Sequence, residues 1–108
     1  MKFTVGWDNR ALGLLAERWA ESANAAAFAD AVNEFERKLA RSPENVGMPF
    51  DEADPPHTAL LDLAFRMNRS PGEVRVFAWS QLRFVFSLYE ADRTVTIWTV
   101  YEHFDETP

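Results

Sequence analysis

Four side chains in the last third of the chain combine charge, hydroxyl and aromatic chemistry at strand spacing: Arg83, Ser87, Tyr89 and Trp98. A guanidinium among such groups can hold a phosphate through two parallel hydrogen bonds and stabilise charge that develops during phosphoryl transfer. The plainer role for Arg83 is an exposed strand arginine stacked over Trp98 or Tyr89. His103 adds an imidazole whose ordinary pKa of about 6.5 suits proton transfer, but a single histidine is more commonly a solvated surface group. Glu102 beside it lies on the opposite face of any continuous strand, so the two cooperate only where the strand has ended or bulged. His57 among Asp51, Glu52 and Asp54 superficially looks like a metal cluster. Without a second histidine at ligand spacing it reads as a solvated loop, and neither metal nor cofactor is expected.

Those residues need a sheet to position them. From Arg75 to Tyr101 the sequence runs through three β-rich stretches separated by Ser80-Gln81 and by Glu90-Ala91-Asp92-Arg93, the pattern of an antiparallel meander. In the middle stretch Phe84, Phe86 and Leu88 fall on one face, and Arg83, Val85, Ser87 and Tyr89 on the other. Pairing Tyr89 with Thr94 puts Ser87 opposite Thr96, Val85 opposite Trp98 and Arg83 opposite Val100, with Val95 and Ile97 sharing the apolar face.

The apolar face must be covered, and the first half of the chain supplies the cover. Phe3, Val5 and Trp7 alternate against Thr4 and Gly6, so a strand is expected there. Asp8 or Asn9 can cap a helix in which Leu12, Leu15, Ala16 and Trp19 recur at helical spacing to about Glu21 or Ser22. Ser22 or Asn24 can cap a second helix with the stripe Phe28, Val32, Phe35 and Leu39, ended by Ser42-Pro43. Its basic end, Arg37, Lys38 and Arg41, complements the helix dipole. Trp7 and Trp19 read as core anchors, and Trp79 and Trp98 as candidates for base stacking or a protein-binding patch. Met48-Pro49-Phe50 and Asp54-Pro55-Pro56 argue for loop. Thr58 can cap a short third helix through Met67, and the acidic end of the sequence is expected to fray.

The 108 residues suit one domain, and 47% hydrophobic content favours folding over disorder. With no cysteine, disulfides and thiolate metal sites are excluded. The opening residues lack the pattern of a secretory signal and no stretch is long enough to span a bilayer, so a soluble cytoplasmic protein with no membrane partner is expected. Seventeen acidic residues against eleven basic ones give a net charge of -6, which repels a polyanion at long range.

The order βαα(α)βββ is an α+β arrangement, a meander sheet packed on a helical hairpin. That order, with Phe3-Thr4-Val5-Gly6-Trp7, Leu15-Ala16-Glu17-Arg18-Trp19, the segment Leu39 to Gly47, Leu82-Arg83-Phe84-Val85-Phe86 and Thr94-Val95-Thr96-Ile97, resembles the RelE/ParE toxin superfamily of type II toxin-antitoxin systems. The resemblance implies a bacterial toxin-like protein forming a single domain over residues 1–104, with an insertion at about 50–73 and a short acidic tail at 105–108. It implies an antitoxin protein as partner. In the RNA-cleaving branch it implies ribosome-dependent cutting of mRNA, with Arg83 and, approximately, His103 at the catalytic positions and Arg75 a looser match; the residues of the sheet face themselves add Tyr89 and Trp98 as binding candidates. In the other branch the target is a gyrase-like protein and no catalytic set is needed. The sequence departs from the RNA-cleaving pattern: its only lysines are Lys2 and Lys38, and Asp105 and Glu106 stand where that branch is basic. Two readings follow, a ribosome-dependent endoribonuclease and a non-catalytic toxin-fold module that binds protein.

Overall fold

A computed structural model describes residues 2–50 and 73–102. The third helix expected near 58–67, His57, the body of the 50–73 insertion, His103 and the acidic tail lie outside these residues. Strand β1 (Thr4–Trp7) leads into helix α1 (Asn9–Glu21), then helix α2 (Ala25–Arg41), a 3-10 turn (Pro43–Asn45), β2 (Met48–Pro49), β3 (Glu73–Trp79), β4 (Leu82–Tyr89) and β5 (Thr94–Glu102). The five strands form one sheet in the order β1-β5-β4-β3-β2. The expected meander of β3, β4 and β5 is present and antiparallel, and β1 joins its far edge parallel to β5, which makes the sheet mixed.

Local chemistry sets the helix limits. The Asp8 carboxylate accepts the Arg10 amide at 3.2 Å and starts α1, and the Asn24 side chain accepts the Ala27 amide at 3.0 Å and starts α2. Pro43 has no amide to donate and opens the 3-10 turn instead of extending α2. The α2 stripe is buried as its spacing requires: Phe28, Val32, Phe35 and Leu39 all face the sheet. Phe35 is the hub, stacked on Phe77 at 4.5 Å between ring centroids and meeting Phe84 at 5.1 Å, Phe86 at 5.9 Å and Trp7 at 6.5 Å.

Three expectations are corrected. The α1 stripe of Leu12, Ala16 and Trp19 does not enter the core: Ala11 is the buried residue, Leu14 and Leu15 pack beside it, and Trp19 remains 51% exposed. A period of 3.6 gives a stripe but not its direction, and here the smaller side chain lets α1 approach the sheet. Met48-Pro49 is strand, not loop, because an edge strand tolerates a proline whose missing amide would face outward. The β4–β5 register follows expectation from Tyr89↔Thr94 to Phe86↔Ile97 and then shifts by one: Val85 lies opposite Thr99 and Arg83 opposite Tyr101. Trp98 is the extra residue of a β-bulge, which alternation cannot foresee.

Candidate functional site

The sheet face turned away from the helices carries Arg83, Ser87, Tyr89, Trp98 and Tyr101. Strand alternation in β4 and the shifted register of β5 bring them together. The centre of this face is closed. Val76 and Val85 are buried beneath Phe50, Val74, Trp98 and Tyr101, and Ser87 is fully buried with its hydroxyl oxygen accepting the Trp98 indole N–H at 2.7 Å. Bulging the chain at Trp98 keeps the indole on this face, where Ser87 satisfies its only donor.

Arg83 sits at the rim and is half-buried. Its Nη1 donates to the carbonyl oxygens of Ser80 at 3.0 Å and Leu82 at 2.9 Å. These acceptors are in or beside the tight β3–β4 turn, where Ser80 takes a left-handed φ of 54°. Across the strand pair stands Tyr101, whose phenol has a pKa raised above 10.0, chiefly because burial disfavours the phenolate, with the Arg83 charge pulling the other way. Sequence reasoning missed Tyr101 because the unbulged register put Val100 opposite Arg83. Alternation by itself carries no signal of the shift.

One consequence is measurable by ultraviolet titration. With the phenol of the folded chain ionising later than that of the unfolded chain, stability from this group is intact below pH 10 and falls as pH rises beyond it. Replacing Arg83 with alanine removes the opposing charge, so the Tyr101 transition should move to still higher pH. A transition that stays in place would separate the two side chains.

Arg75 is not part of this face. It stands opposite Phe86, a core residue, and is 9% exposed. Its Nε donates to the Val46 carbonyl at 2.9 Å and its Nη2 to that of Gly47 at 3.0 Å, with Glu73 at 3.5 Å from Nη1. The guanidinium therefore ties the segment entering β2 to β3, on the opposite side of the sheet from Arg83.

An apolar groove of about 330 Å³ runs between α1 and α2, lined by Leu12, Leu15, Ala16, Trp19, Phe28 and Val32 among others. The end of α1 is fixed to β5 by an ion pair between Arg18 and Glu102. Among the described residues no cluster of three metal-ligating side chains is present, and no helix is long and apolar enough to cross a membrane.

No family model matches the sequence, and no curated protein does either. Solved structures do match. The toxin-antitoxin complex RelBE2 from Mycobacterium tuberculosis superposes with a TM-score of 0.61 over 97% of this chain and 95% of the matched chain, at 18% identity. The fold is RelE/ParE-like. A chromosomal ParDE system from P. aeruginosa gives a TM-score of 0.58 over 95% of this chain and 98% of that one, at 12% identity. A mutant of the E. coli toxin RelE in the free state gives 0.50 over 94% and 84%, at 16% identity. Both branches of the RelE/ParE-like fold are thus represented, and the order of two helices packed on a mixed five-stranded sheet is common ground with them.

Proposed function

We propose that this chain is the toxin-like component of a type II toxin-antitoxin system, held by an antitoxin and acting on its target by binding protein. The observation that carries this reading is where the positive charge of the sheet goes. Arg75 is consumed by the carbonyls of Val46 and Gly47, and Arg83 directs Nη1 to the carbonyls of Ser80 and Leu82. A sheet with one arginine buried on its own carbonyls and the other committing one nitrogen to its own backbone, in a chain of net charge -6, is poorly arranged to gather RNA phosphates. The apolar groove with Trp19 and Leu12 at its surface is a feature of protein recognition instead.

A second reading rests on Arg83 facing Tyr101 at the half-buried rim. There a guanidinium and a phenol within one strand pair can serve an RNA phosphate, as in a ribosome-dependent endoribonuclease.

Induction of the wild-type chain and of Arg83→Ala in a bacterial host separates the two. Growth arrest with intact transcripts, unchanged in Arg83→Ala, is the expected result. Cut transcripts whose formation falls about 100-fold or more in Arg83→Ala, the usual loss on removing a charge-stabilising donor, would establish the ribonuclease instead. Absence of arrest would remove the toxin reading altogether.

A further inference from the structure

The last turns of α2 and the 3-10 turn after it enclose a cavity of about 300 Å³ lined by Arg37, Lys38, Arg41, Ser42, Asn45 and Val46, with Glu34 in its wall. Three of the eleven basic residues of an acidic chain meet here. Complementing the helix dipole accounts for cations at this end, but the dipole is worth only about half an elementary charge. Arg37 is already paired with Glu34 at 2.9 Å. Among the described residues Lys38 and Arg41 have no carboxylate partner, and both are exposed. They lie three residues apart on one helix face, about 5–6 Å between Cβ atoms.

We propose that this cavity is a docking site for an acidic peptide segment of a protein partner, with Lys38 and Arg41 receiving carboxylates. The proposal rests on the protein-binding reading above and names the chemistry of the partner. Charge complementarity selects the occupant. Lys38 and Arg41 form a short cationic patch within a molecule of net charge -6, and with a screening length of about 8 Å at physiological salt a short peptide feels the patch. A long nucleic acid, in contrast, meets the acidic surface around it. The lining favours peptide as well: Ser42 and Asn45 offer polar contacts to its backbone. Glu44, exposed on the same 3-10 turn, is not among the lining residues and does not neutralise them.

Fluorescence anisotropy on the full chain tests this with three labelled probes of ten units: a peptide of aspartate, glutamate and leucine, its asparagine-glutamine-leucine counterpart, and oligouridylate. The acidic peptide is expected to bind at least tenfold more tightly than the amide peptide. Lys38→Gln combined with Arg41→Gln should weaken it about tenfold or more, whereas Arg10→Gln on α1 should leave it within twofold. Circular dichroism of the double variant should match wild type, since both side chains are exposed. Equal binding of the two peptides, a double variant within twofold of wild type, or tighter binding of oligouridylate would each overturn the proposal. The outcomes separate from the toxin reading: growth arrest without peptide binding removes the cavity alone, and peptide binding without arrest removes the toxin role alone.

Discussion

Gly47→Ala is expected to lower the melting temperature by about 15 °C or more, corresponding to roughly 3 kcal/mol in a domain of this size. Gly47 has a φ of +68°, in the left-handed region where an L side chain costs about 1–2 kcal/mol. The steric problem is larger. A Cβ at this position would sit 2.0 Å from the Val76 carbonyl oxygen and 2.7 Å from its carbon, so backbone must move. That movement would part Met48 from Val76, the first pair of β2 with β3, and would draw the carbonyls of Val46 and Gly47 away from the Arg75 guanidinium. A buried arginine separated from its acceptors carries its own desolvation penalty. Gly13→Ala is the internal comparison: it lies within α1 with nothing within 4 Å of the added Cβ, and should stabilise the chain by about 0.5–1 kcal/mol. Thermal unfolding of both variants by circular dichroism measures the contrast, and a Gly47→Ala chain that melts like wild type would contradict the β2–β3 packing described above.

Phe35→Ala is expected to cost about 3–5 kcal/mol, a large share of the 5–15 kcal/mol that holds a typical domain folded. The ring is 1% exposed and is the point where α2 meets β1, β3 and β4 through Trp7, Phe77, Phe84 and Phe86. Those partners belong to different elements, so the space left by the ring cannot be closed by one element settling inward. Phe35→Leu should retain more than half of the lost stability, since it keeps most of the volume. Denaturant titration gives both numbers. A loss below about 1 kcal/mol for Phe35→Ala would mean that the core is centred elsewhere.

Much of this architecture was legible in the residues. The α2 stripe, the meander, and the division of β4 into a Phe84-Phe86-Leu88 face and an Arg83-Val85-Ser87-Tyr89 face depend on side-chain period, which sequence states directly. What was illegible depends on three-dimensional context. Trp98 is a good strand residue, and nothing in its type announces a bulge, yet the bulge decides that Tyr101 and not Val100 faces Arg83. Arg75 has the composition of a ligand-binding residue and the surroundings of a structural one. Only the arrival of Val46 and Gly47 from a distant part of the chain reveals the difference. Leu12 and Trp19 follow helical spacing faithfully, but spacing does not say which face meets the sheet, and they border the groove between the helices.

Thr4 lies beside Thr94, so the first strand of the sheet is completed by the last. During synthesis the helical hairpin leaves the ribosome with Phe28, Val32, Phe35 and Leu39 uncovered, because the strands that receive them have yet to be made. Pairings of such sequence separation close slowly, and chains waiting for them expose apolar surface. A chain interrupted before β5 has no seat for β1, no strand to carry Trp98 and Tyr101, and no Glu102 to tie Arg18 to the sheet. Any surface that depends on the finished sheet therefore comes into existence only once β5 is made.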